Sequence, residues 1–167
     1  MRYAGISLGH GANREAEHWI STLGLPAGVE ACTHLARTPY PHVVVSLALP
    51  DGVDTELPVT PDDLSRSAAE AAADHAGRRG GRAFLFAGVE ALTGTMTVAD
   101  VLAKSAISRV KVLGGPDPEP EREILTRDFI RPEWKDGALT LMTSPGPRGR
   151  LAPFEFPNPT PCCGGDH

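Results

Sequence analysis

A chain of 167 residues, 41% hydrophobic and 22% charged, has the length and composition of one globular domain with an appendage, able to bury a core. No apolar run approaches the roughly 18 residues of a membrane span. Residues 1–6 (MRYAGI) lack the apolar stretch and cleavage site of a signal peptide, so a cytoplasmic protein with reduced thiols and no membrane partner is expected. A formal charge of −5 and 5% aromatic residues argue against a nucleic-acid partner, which needs a basic face or a stacking platform.

Residues 3–8 are β-compatible and lead into the loop Gly9-His10-Gly11-Ala12-Asn13. Over residues 14–23, Ala16, Trp19, Ile20 and Leu23 fall at i, i+3, i+4 and i+7, one face of a helix. Asn13 is its expected N-cap, Glu15 and Glu17 complement its dipole, and Gly24 sits where it should end. Val29, Ala31, Thr33 and Leu35 then alternate with Glu30, Cys32 and His34, the period of a half-buried strand. After the break at Thr38-Pro39-Tyr40-Pro41, residues 42–49 (HVVVSLAL) read as a central strand. Pro50-Asp51-Gly52 is a turn. In Thr60-Pro61-Asp62-Asp63 a threonine cap, a proline at N1 and an acid at N3 announce a second helix, which the alanine-rich run carries to Ala76. Residues 82–87 (RAFLFA) read as a short buried strand.

The order β-α-β-β-α-β predicts a ferredoxin-like α+β core over residues 1–90: one antiparallel sheet with both helices on the same face. An α/β extension over residues 91–143 completes a single domain. It comprises a helix capped by Thr97, a strand at 109–113, and strands at 124–130 and 138–143. Residues 144–167 change character, with six prolines from Pro145 to Pro161, and are read as a Pro-rich tail. The segment 3–15 (YAGISLGHGANRE), with the strands after it and Thr60-Pro61-Asp62-Asp63-Leu64, resembles the layout of 6-hydroxymethyl-dihydropterin pyrophosphokinases, ferredoxin-like enzymes with a G-S-N loop after strand one. That family's paired magnesium-binding aspartates have Arg82-Ala83-Phe84-Leu85-Phe86 in their place here, so the resemblance implies topology and no site residues.

Three functional readings follow. The tail ends in Cys162-Cys163-Gly164-Gly165-Asp166-His167, a concentration of thiol, imidazole and carboxylate that suits zinc or copper. Adjacent cysteines depart from the spacing of structural zinc sites, so a closed site would borrow Cys32 or His34 from the second strand. The leading expectation is therefore a small metal- or ligand-binding protein using Cys162, Cys163, His167, Cys32 and His34. An alternative is a protein-interaction or regulatory module that docks a protein partner through the tail. A third is an enzyme acting on a phosphorylated or nucleotide-like molecule at His10, Gly11 and Asn13, where amides at a helix N-terminus favour anions. His18 and His75 lie on expected helices and are read as facing solvent or a carboxylate rather than a metal. His42 is placed to meet His34 across a hairpin, and Trp134 is read as packing the last hairpin against the core.

Overall fold

The computed structural model describes residues 1–157. The elements are β1 (Arg2–His10), α1 (Asn13–Thr22), β2 (Glu30–Ala36), β3 (His42–Leu49), α2 (Ser65–Ala76), β4 (Arg82–Leu85), β5 (Thr95–Thr97), α3 (Val98–Lys104), β6 (Arg109–Val112), β7 (Glu123–Leu125), β8 (Glu133–Lys135), β9 (Ala138–Pro145) and β10 (Leu151–Pro153). They build one ten-stranded sheet in the order β1-β3-β2-β4-β8-β9-β10-β7-β5, with β6 joining β9. The β6–β9 and β7–β10 pairs are parallel and the rest antiparallel.

This is not the ferredoxin-like core that element order predicts. The first half fits, since β3 inserts antiparallel between β1 and β2. The second half departs: β4 pairs with β2, and the sheet continues beyond it into β8. The β1-α1-β2 and β3-α2-β4 crossovers therefore run in the same direction across the sheet but start from antiparallel strands. Crossovers of one hand then place their helices on opposite faces.

Side-chain packing follows that arrangement. Val43, Val45, Leu47 and Leu49 of β3 pack with Ala16 and Ile20 of α1. Val44 packs with Ala68 and Ala71 of α2, while His42 and Ser46 bond Ser67 and His75 of the same helix. Cover on both faces is why every residue of β3 is buried. Helix α2 comes so close to β1 that a Cβ on Gly5 would lie 1.8 Å from the carbonyl oxygen of Ala68. Only glycine at position 5 and the small residues of α2 permit that contact.

Local signals are partly redistributed. Ala12, not Asn13, is the N-cap of α1, and Glu15 reaches back to the Gly11 amide at 3.0 Å. Thr60 does not cap the second helix; its hydroxyl instead accepts from the amide of Ser7, and a 3₁₀ turn at Asp62–Leu64 leads into α2. Thr97 caps α3 as expected, accepting from Asp100 N at 3.1 Å. The strand expected at 124–130 shrinks to Glu123–Leu125, and the Pro-rich stretch supplies β10, whose Leu151 is fully buried.

Between β4 and β8 the ladder is narrow, with one register pair, Arg82↔Glu133. Side chains reinforce it on the α1 face. Glu17 of α1 accepts from Arg131 at 2.6 Å and from Arg82 at 3.2 Å, and Arg82 also pairs with Glu155. No helix of the described residues is long and apolar enough to cross a membrane.

Candidate metal centre

Strand alternation sends Glu30, Cys32 and His34 of β2 to the face that α2 covers. Ser46 of the neighbouring strand points the same way, opposite Cys32. From α2, His75 enters one helical face along from Ala68 and Ala71 and is 2% exposed. From β8, Trp134 reaches in across β4.

The polar atoms of these residues form a continuous chain. His75 Nε2 lies 2.8 Å from Glu30 Oε1, and Trp134 Nε1 donates to that same oxygen at 2.6 Å. On its other side His75 Nδ1 is 2.8 Å from Ser46 Oγ, which is 2.7 Å from His34 Nε2. A carboxylate only accepts, so Nε2 of His75 carries the proton and Nδ1 accepts from the Ser46 hydroxyl. Ser46 in turn accepts from Nε2–H of His34. Burial, with His75 nearby, pulls the His34 pKa down to about 4 against a weaker opposing pull from Asp74, so this ring is neutral at pH 7.

Cys32 completes the cluster. Its sulfur is 3.7 Å from His75 Nε2 and 4.0 Å from Glu30 Oε1. Burial, then the negative charge of Glu30, pushes its thiol pKa well above the usual value, so the sulfur is protonated and inert in the absence of a metal. One ligand atom from each of Glu30, Cys32 and His75 lies within 4.8 Å of the others, a group able to hold a metal ion. Glu30 and His75 also line an open cleft of about 990 Å³, together with Tyr3, Arg78, Phe86 and Trp134.

Of the ligands expected from sequence, Cys32 belongs to this cluster. His34 lies one hydroxyl removed, linked to His75 through Ser46. Cys162, Cys163 and His167 fall outside the described residues. His42 is not beside His34; it pairs with Ala36 and bonds Ser67 and the Tyr40 carbonyl. At the first loop, the Gly11 amide is occupied by the Glu15 carboxylate, and the His10 ring stands 5.8 Å from that of Trp19. Asn13 begins α1.

Glu30 and His75 are the members of this group that sequence reasoning missed. Glu30 was visible as the third polar residue on the Cys32 face of β2. From sequence, His75 is expected to face solvent or a carboxylate rather than a metal; it is buried against a carboxylate, and nothing local named Glu30 as the partner.

The order Ser46–His75–Glu30 also matches the roles of a nucleophile, base and orienting acid. Ser46 is fully buried, and its hydroxyl is already engaged by two imidazoles. No substrate carbonyl can reach it, so the chain serves to orient His75. No protein-family model, curated protein or solved structure matches this chain.

Proposed function

We propose that the protein binds a divalent transition-metal ion, zinc foremost, through Glu30 Oε, Cys32 Sγ and His75 Nε2. The observation that carries this reading is the convergence of three chemically different ligand atoms within 4.8 Å, on two strand positions and one helix position. Zinc with bonds of about 2.0–2.3 Å in tetrahedral geometry has ligand–ligand separations of about 3.3–3.6 Å. The separations here, 2.8, 3.7 and 4.0 Å, bracket that range.

Charge fits as well, because one thiolate and one carboxylate neutralise a dication. The mixed sulfur, nitrogen and oxygen set favours zinc over cuprous copper, which prefers softer sulfur donors. As a ligand, His75 binds through Nε2 and carries its proton on Nδ1, where Ser46 is placed to accept it. That bond fixes the ring orientation, as hydrogen-bond partners of metal-bound histidines do. Loading displaces the thiol proton of Cys32, so affinity rises with pH. The reading needs no ligand from the tail.

Cobalt(II) is the direct probe, in a Cys162→Ser/Cys163→Ser background that leaves Cys32 as the sole thiol. A sulfur-to-cobalt charge-transfer band should appear on titration and vanish in the further variant Cys32→Ser. A spectrum of hydrated cobalt throughout would overturn the reading.

A further inference from the structure

We infer that the cleft above Glu30 and His75 takes a small apolar molecule with a single carboxylate head, the head binding the metal and Arg78. The inference rests on the metal reading, because it assigns the head to the coordination position that three protein ligands leave open. Glu30 and His75 line the cleft, whereas Cys32 and Ser46 lie behind them and are fully buried.

The cleft has the size and character of a small-molecule site. Its volume of about 990 Å³ reaches the upper end of the usual range. Leu25, Val29, Phe86 and Val89 contribute apolar lining, while the Tyr3 ring lies 5.1 Å from that of His75 and the Trp134 indole bonds Glu30. A molecule lying here buries its body against these groups and leaves its polar end at the metal.

Arg78 supplies the second contact. Its backbone is held left-handed, with φ of 53°, and its carbonyl accepts from Gly137 N at 2.9 Å. The guanidinium lies 5.3 Å from the centre of the Trp134 ring and has no carboxylate partner among the described residues. An unpaired guanidinium at the mouth of a cleft suits a planar carboxylate, which it binds through two parallel hydrogen bonds. With the metal charge cancelled by Glu30 and Cys32, one carboxylate balances Arg78. Glu90, exposed on the same rim, disfavours a second anionic group.

The test is calorimetric titration of the zinc-loaded full chain with phenylacetate and with its neutral counterpart phenylacetamide. The acid is expected to bind at least about tenfold tighter than the amide. That advantage should disappear after zinc is stripped. It should also fall about tenfold in Arg78→Gly, which suits the left-handed backbone, with zinc content unchanged. A zinc-loaded protein that binds acid and amide equally, or binds the acid equally with and without zinc, overturns this inference and leaves the metal reading standing. A chain that takes up no zinc overturns both.

Discussion

Trp134 Nε1 donates to Glu30 Oε1 at 2.6 Å, tying β8 to β2 across the intervening β4. The same oxygen holds His75 Nε2, so a metal arriving at Glu30 competes with the indole for it. Saturating zinc should therefore change the emission of Trp134, read in a Trp19→Phe background because Trp19 is the other tryptophan. Trp134→Phe, which frees the oxygen, should raise zinc affinity about three- to tenfold, the scale of one lost competing hydrogen bond. Emission unmoved by bound zinc would place the ion elsewhere.

Cys32 should be chemically silent without metal. Its thiol is fully buried and its pKa is pushed up, first by burial and then by Glu30. With both tail cysteines replaced by serine, alkylation by iodoacetamide at pH 8 should be at least about 100-fold slower in the native chain than in urea. Comparable rates would mean that β2 is open to solvent.

His34 ties stability to pH. Its folded pKa is lowered to about 4 from 6.5, so between those values the unfolded chain binds a proton that the folded chain refuses. Stability from this source is complete above pH 6.5 and is lost as the pH falls from there towards 4, by an amount on the order of 3 kcal/mol. Urea midpoints of the metal-free protein should fall across this window. His34→Gln, which keeps a donor towards Ser46, should flatten that fall relative to the wild type. Parallel curves for the two proteins would contradict the assignment.

Gly5→Ala tests the approach of α2 to β1. The added methyl would sit 1.8 Å from Ala68 O, a backbone atom that cannot rotate away. A loss of about 3 kcal/mol or more is expected, at the upper end for overpacking. A loss under about 1 kcal/mol would mean that α2 stands further from the sheet.

Of the three residues of the site, Cys32 alone was named from the chain, and the assembly was not legible. Alternation over residues 29–35 already placed Glu30, Cys32 and His34 on one face, whereas the alanine-rich run of α2 announced a helix without saying which side of it is buried. What remained open was which side of the β1-β3-β2 unit β4 would join. Placed beside β1, as in a ferredoxin-like sheet, α2 shares the face of α1 and His75 never meets Cys32. Placed beside β2, α2 covers the opposite face and the cluster forms. The first arrangement leaves one face of the sheet without a helix and the second covers both, so the continuous apolar run of β3, buried along its whole length, was the one local pattern that favoured the second. The short strands Thr95–Thr97, Glu133–Lys135 and Leu151–Pro153 were hidden for a simpler reason. Three residues carry too little periodicity to register against flanking prolines and glycines.

The central claim is that Glu30, Cys32 and His75 hold a metal without help from the tail. Zinc content after stripping, reloading and gel filtration of the untagged full chain tests it most directly. About one equivalent is predicted for the wild type and for Cys162→Ser/Cys163→Ser, falling below about 0.2 in His75→Gln and in Cys32→Ser. Zinc lost from the tail variant and retained by His75→Gln would contradict the account.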